Sequence, residues 1–546
     1  MPDTALARFP KYPISRPTSP GTRLAPQWFQ VRPEKERHRC ESEREEGLMR
    51  LRWLRVAAPF VVLLATVLPP SPSVAQHELP LDHTAVFKTH VPHVNSQIGM
   101  GQGGGAQATL PTPTATFSGL PYGVGATVTP TNTVPEAEQH IAVDPNNSST
   151  LVTAVSDFDL AGGGYNTTKY AVSFDNGATW AGSYLPMDPF GLGFLATGDG
   201  FFWLANSDPT IAIDKLGNVY MANLYLDVTD NGNGLYVSVV NLSAPKPITF
   251  TAEATYPVAT NPSASTRIQE DKPWVTVDNS SNPSTMGNVY VCWSRFTRRS
   301  DTIVFSRSID HGLTWTSPLR ISPKGQDGAV QGCQAAVGPN GEVYVAYEVF
   351  FVSARRQHFL AKSVDGGLTF STPHAITPVF NEINFSSTYR KNSFTSLTVS
   401  PSNGHVYAIY AAQQGTLGAE VQFIASTDGG ATFSLPVTIN DGSTGQQFFP
   451  AIATDSNGVI HVTWFDTRNS DGSSARYDIY ATYSKDNGAT FAPNARVTGV
   501  LIDAGTASFI GDYTGIAAAA GSAHPVWTSG GFNNGSLQTA VLQLLP

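Results

Sequence analysis

Charge is scarce in this 546-residue chain, where Asp, Glu, Lys and Arg make up 14% of the residues. What charge there is gathers at fixed places in a repeating pattern. A strand–turn–strand signature of the form x-Ile-Ala-Val-Asp-x-x-Gly-x-Val-Tyr-Val-Ala-Trp recurs from residue 140 onward. Just ahead of its first strand lie Glu138 and His140, Asp208, Glu270 with Asp271 and Lys272, Gln331, Arg390 and Lys391, Gln447, and Asp512 with Tyr513. Just after its second strand lie Asp157 and Asp159, Asp227, Arg295, Glu348, and Asp466 with Arg468. Carboxylates and a tyrosine suit proton transfer and nucleophilic attack. Arginines suit a bidentate grip on a carboxylate. The bland alternative is that each residue satisfies a strand end or faces water. Their concentration on loops of a repeating scaffold favours a shared site. Two strings stand out, Glu-Asp-Lys-Pro-Trp at 270–274 and Phe-Ile-Gly-Asp-Tyr at 509–513. Their acidic residues could instead hold a cation such as Ca²⁺, whose ligands are oxygens; no other cofactor is implied.

The elements that must position these residues are short strands. The signature starts near residues 140, 209, 273, 334, 395, 450 and 513, at steps of 55 to 69 residues. A second motif, Ser-x-Asp-x-Gly-x-Thr-aromatic, occurs five times: SFDNGATW at 173–180, SIDHGLTW at 308–315, SVDGGLTF at 363–370, STDGGATF at 426–433 and SKDNGATF at 484–491. Its Asp can accept hydrogen bonds from its own turn. The residue pair ending in Gly supplies positive φ, and Thr with the aromatic re-enters a strand. Each box therefore reads as a structural hairpin staple after a third strand. The second and seventh modules lack one. Four short strands per module, repeated seven times, predict an all-β propeller with seven blades, or six if one module is a decoration. The seventh module runs out before a fourth strand. Residues 126–131 could supply it, closing the ring between the two ends of the chain and removing exposed sheet edges. The boxes then lie on the face opposite the charged loops.

The boxes and the blade pattern resemble the Asp-box (bacterial neuraminidase repeat) proteins, the sialidase-like β-propellers, over roughly residues 140–545. The resemblance implies a glycoside hydrolase of exo-sialidase type. That family uses a tyrosine nucleophile activated by a glutamate, an aspartate acid/base, and arginines for the substrate carboxylate. Its chain order, Arg, Asp, Glu, Arg, Arg, Tyr, can be matched by Arg267, Asp271, Glu348, Arg390, Arg468 and Tyr513. Tyr513, Glu348 and Asp271 become the implied catalytic residues, with Asp512 beside them, and Arg267, Arg390 and Arg468 the implied substrate-binding ones. One family feature is missing: no Phe/Tyr-Arg-Ile/Leu-Pro string opens the first module, and the nearest, Thr266-Arg267-Ile268-Gln269, precedes the third. The alternative is a non-catalytic propeller that binds glycan or protein. Three arginines converging beside Tyr513 would point to a carboxylate-bearing sugar, and a mouth rich in carboxylates to a neutral sugar or a cation.

The ends and the charge balance bound the setting. Residues 1–48 are rich in Pro, Arg and Glu and read as a leader upstream of the true start at Met49. Residues 49–75 read as a secretory signal: Arg50, Arg52 and Arg55, an apolar run over 56–68, and the small-x-small site Ser73-Val74-Ala75. The apolar run is shorter than the ~20 residues of a spanning helix, so no stable membrane insertion is expected after cleavage. Residues 76–125 form a Gly/Thr/Pro-rich linker, and 126–546 the propeller. The first 75 residues hold 12 of the 33 basic groups and 7 of the 42 acidic ones, leaving 21 against 35, a net charge of −14. That balance argues against nucleic acid and suits a soluble exported protein; a monomer is expected, and the resemblance implies a glycan or glycoprotein as its partner. Cys292 and Cys333 remain beside Cys40 of the leader, either as a disulfide or as buried thiols. No Cys/His spacing suggests a metal site.

Overall fold

Alternating apolar runs separated by Gly- and Asp-bearing turns leave each segment one way to bury its faces, as a strand in a stacked antiparallel sheet. In the computed structural model the described residues are 108–109, 125–127, 136–157, 167–186, 203, 205–226, 232–261, 267–415, 418–442, 444–505, 507, 509–529 and 536–543. The expected leader, the signal segment and most of the linker lie outside them, as do Asp159 and Asp227. The described residues form seven antiparallel sheets, each a meander of four strands, some with an added edge strand. The innermost strands, in chain order, are Glu136–Asp144, Ala205–Ile213, Ile268–Val277, Val330–Val337, Ser396–Val399, Gln447–Thr454 and Gly515–Ala519. Each neighbours the next, and the last neighbours the first. The architecture is a seven-bladed β-propeller.

The seventh blade is closed as expected. Its strands Gly515–Ala519, Ser522–Ser529 and Ser536–Ala540 are completed by Gly125–Thr127, which pairs with Ser536–Ala540 in antiparallel register. Within the expected linker, Ala108–Thr109 also pairs, adding an edge to the first blade beside Ala181–Tyr184.

All five boxes share one hydrogen-bond pattern. In the fourth blade Ser363 Oγ donates to Asp365 Oδ1 at 2.7 Å, Gly367 N–H donates to Ser363 Oγ at 2.9 Å, and Thr369 Oγ1 donates to Asp365 Oδ2 at 2.5 Å. The two turn residues have positive φ in every copy, for example Asn487 at 62° and Gly488 at 85°. The closing aromatic wedges between blades: Phe370 meets Phe305 of the third blade at 4.8 Å, and Phe491 meets Phe423 of the fifth at 5.0 Å. The cores lie between adjacent sheets, as where Tyr290, Cys292 and Phe305 pack on Val343, Val345 and Tyr347. Each such side chain contributes about 1.5–3 kcal/mol by burial. Cys292 and Cys333 form a disulfide that ties the third blade's second strand to the fourth blade's inner strand, with Cα atoms 6.2 Å apart. No helix among the described residues is long and apolar enough to cross a membrane.

Candidate functional site at the channel mouth

The inner strands are not regular. In blades one, two, three, four and six, pairing with the second strand slips at the end away from the boxes: between Ala137 and His140, Ser207 and Thr210, Asp271 and Trp274, Gln331 and Gln334, and Phe448 and Ala451. Each slip is a bulge carrying a residue of positive φ: Glu138 (60°), Asp208 (57°), Lys272 (50°), Gly332 (69°) and Phe449 (48°). Bulges re-aim side chains, and a left-handed non-glycine residue costs on the order of 1–3 kcal/mol unless its surroundings enforce it. Here three of the five are charged and buried, with Glu138 and Asp208 0% exposed and Lys272 5%.

Those three charges belong to one cluster. Lys272 Nζ pairs with Asp512 and lies 3.5 Å from Glu138 Oε1. Burial alone would push the Lys272 pKa down; Asp512, Asp271, Glu138 and Asp208 around it hold it above the ordinary lysine range. Arg390 grips Asp512 with Nε, at 2.9 Å from Oδ1, and with Nη2. Asn392 Nδ2 donates to the Asp512 carbonyl at 2.9 Å. Gln331 Nε2 donates to Asp271 Oδ2 at 3.0 Å. The strings at 270–274 and 509–513 therefore meet: Lys272 of one binds Asp512 of the other, and Trp274 stands edge-on to Tyr513 with ring centres 6.1 Å apart. Four carboxylates against two cations leave a formal surplus of two negative charges around this hub.

Tyr513 sits among the same four carboxylates. Burial first, then Glu138, Asp208, Asp512 and Asp271, push its pKa far above the ordinary phenol value. Its hydroxyl donates to the Pro209 carbonyl at 3.1 Å. It is a neutral phenol with its proton committed. The half-buried rim includes Gln331, Arg390, Phe394 and Trp274. Gly332 makes room there, since a Cβ on it would come within 2.5 Å of the Phe394 ring.

The other expected site residues fall elsewhere. Glu348 is buried inside the fourth blade, 3.2 Å from His358 Nε2 and 3.4 Å from Arg356 Nε, and does not meet Tyr513 among the contacts described. Arg468 is held by Asp466 at 2.7 Å and Asp441 at 2.7 Å, with its guanidinium 4.1 Å over Tyr480. Arg267 is exposed at the start of the third blade, with φ of 55°. Of the three arginines only Arg390 joins the cluster among the contacts described; Arg468 is held by Asp466 of its own blade and by Asp441.

Several charges at strand ends are staples within a blade. Glu270 accepts from Trp293 Nε1 and Arg295 Nη2, both at 2.6 Å. Asp466 accepts from Trp464 Nε1 and Arg468 Nε, both at 2.9 Å, a similar Trp–carboxylate–Arg set drawn from one stretch of chain. Lys169 joins Glu136 and Asp157 in the first blade. His140 accepts the Ile211 N–H at 3.1 Å, and burial lowers its pKa to about 4, so it is a neutral tie between blades one and two. Asp271 and Asp512, the acidic residues considered for Ca²⁺, are engaged by Gln331, Lys272 and Arg390, and Glu270 by Arg295. Among the described residues no group of three or more His, Cys, Asp or Glu is placed to hold a metal ion.

Sequence reasoning placed Glu138, Asp208, Lys272 and Gln331 at the strand entries without giving each a role, and it missed Asn392. Two of them carried a further signal, since Pro209 after Asp208 and Pro273 after Lys272 lie inside strand patterns, as does Pro450 after Phe449, and proline in an inner strand is confined to bulges.

No protein-family model and no curated protein match the sequence. Solved structures resemble it at low identity. They include a protein of unknown function from Dyadobacter fermentans DSM 18053 (13% identity, 77% of this chain and 98% of that one, TM-score 0.44). A Hadza microbial sialidase matches at 14% identity over 77% and 95%, TM-score 0.40. A polysaccharide lyase described as a PL25 ulvan lyase matches at 11% over 77% and 96%, TM-score 0.46. Likeness at this level says nothing of activity, so function must be argued from the channel mouth itself.

Proposed function

We propose that this protein is a carbohydrate-acting propeller that hydrolyses a glycosidic bond of a neutral glycan at the channel mouth. The observation that carries the reading is the convergence of Glu138, Asp208, Asp271 and Asp512 on Lys272, with negative charge in excess. Glycoside hydrolysis uses paired carboxyl groups and passes through a positively charged, oxocarbenium-like transition state. A preorganised negative field stabilises that charge as it develops. Asp271 is the member of the four most open to solvent, at 7% exposure, and is oriented by Gln331. We assign it the proton transfer to the leaving oxygen, with Glu138, Asp208 and Asp512 as the anionic floor. Tyr513 is a wall and hydroxyl donor. Trp274 and Phe394 supply faces on which a sugar ring can stack.

The exo-sialidase reading fits less well. A substrate carboxylate would need several arginines open to it, and Arg390 is already paired with Asp512. Tyr513 would need a base to take its proton, and its hydroxyl faces the Pro209 carbonyl. A non-catalytic glycan-binding propeller is the second reading, supported by the full burial of Glu138 and Asp208. The setting we infer is extracytoplasmic, on the signal-like segment 49–75 and the Cys292–Cys333 disulfide.

The test is turnover of fluorogenic neutral glycosides by the chain from Gln76 onward, beside Asp271→Asn. At least one glycoside should be hydrolysed, with kcat/KM at least 100-fold lower in the variant at unchanged melting temperature. Turnover that survives Asp271→Asn would overturn the assignment. Saturable glycan binding with no hydrolysis would favour the second reading.

A further inference from the structure

Between the fourth and fifth blades the chain makes an excursion whose two ends meet. Ile383 N–H donates to Ser393 Oγ at 3.2 Å, closing an Ω-loop over 383–393. The loop crosses the face of the channel mouth. Asn384 N–H donates to Gln413 Oε1 at 3.1 Å in the fifth blade, and Tyr389 hydroxyl donates to the Ser474 carbonyl at 2.5 Å in the sixth. Ile383, Phe385 and Tyr389 are buried against Phe448 and Tyr477. Near its end the loop delivers Arg390 and Asn392 onto Asp512, ahead of the seventh blade.

The neck of this loop rests on buried ionic groups that the channel chemistry does not use. His358 Nε2 lies 3.1 Å from the Ser393 carbonyl and 3.2 Å from Glu348 Oε2. Both neighbours are acceptors, so Nε2 carries the proton and is shared between them. Arg356 Nε lies 3.4 Å from Glu348 Oε1, and its Nη2 pairs with Glu382, just before the neck. Glu348 and His358 are 0% exposed. Three consecutive links therefore join the buried cluster to the channel: His358 to Ser393, Ser393 to Asn392 along the chain, and Asn392 with Arg390 to Asp512.

We propose that His358 and Glu348 are positioning residues for the channel site, holding the Ω-loop neck and thereby the angle at which Arg390 and Asn392 meet Asp512. The inference rests on the reading of the channel mouth as the site. Glu348 acts at a distance, through the backbone it orients, and touches no substrate.

Hydrogen exchange on the chain from Gln76 onward tests this without requiring turnover. Amides of 384–392 should lose at least tenfold protection in His358→Leu and in Glu348→Gln, and regain most of it in His358→Gln, which restores a donor. Amides of the strands Val343–Phe351 and Gln447–Thr454 should keep theirs. On any glycoside the wild type hydrolyses, kcat should fall at least tenfold in His358→Leu with KM unchanged. If the wild type hydrolyses none, the hydrolysis reading fails and the exchange result still decides the positioning. Unchanged loop protection in both variants overturns the proposal. So does protection lost evenly across the blade strands, or a loosened loop that leaves kcat intact.

Discussion

At the scale of single residues, what separates the channel cluster from the rest of the charge is the company each group keeps. Arg390 and Arg468 are the same residue type, one ahead of an inner strand and the other just after a second strand. Arg468 is clamped because Asp466 and Trp464 stand two and four residues before it, whereas Trp293 stands two before Arg295. That spacing is visible in sequence; its meaning is not, because the clamp is completed by Asp441 and Tyr480 from other segments. Lys272 is the reverse case, a buried cation whose counter-charges come, besides the adjacent Asp271, from blades one, two and seven. It is therefore the residue whose removal should be felt most. Lys272→Met leaves buried carboxylates facing one another, and should destabilise the protein by about 3–5 kcal/mol. Arg476→Met removes exposed, solvent-screened pairs with Asp471 and Asp503 and should leave stability nearly unchanged. Urea unfolding of both variants checks the contrast.

At the scale of elements, the bulged inner strands and the Ω-loop do the positioning. The boxes were readable residue by residue, since Asp, Gly and Thr act within one turn. Three of the five bulges were readable as prolines in unexpected places, after Asp208, Lys272 and Phe449; those at Glu138 and Gly332 carry none. The Ω-loop neck carries a pH signature. Burial, with Glu348 nearby and despite Arg356 and Lys391, raises Glu382 to about 7 from the ordinary 4.5. A carboxyl raised on folding stabilises most below its unfolded pKa, and that contribution is lost as pH rises from about 4.5 towards 7. Glu382→Gln is fixed in the neutral state. Its stability relative to wild type should therefore rise through that window by on the order of 3 kcal/mol and level off above it. A relative stability that is flat from pH 4 to 8 would show that Glu382 does not titrate there.

At the scale of the whole molecule, seven blades and their closure were legible because repetition multiplies a weak signal: one box is a turn, and five at blade spacing are an architecture. The site was only partly legible, since a ring brings together residues from blades one, two, three and seven that no local pattern connects. Closure by Gly125–Thr127 makes the segment before the first blade part of the fold. Deleting residues 76–135 should lower the melting temperature sharply by exposing the Ser536–Ala540 edge; an unchanged transition would mean the pairing contributes nothing. The central claim is that this ring gathers an anionic mouth suited to a neutral sugar. The most direct measurement is the ratio of kcat/KM for a neutral glycoside to that for the matching sialoside, in the wild type and in Arg390→Ala. A ratio well above 100 in the wild type is the result predicted. Preferential cleavage of the sialoside, abolished in Arg390→Ala, would contradict it.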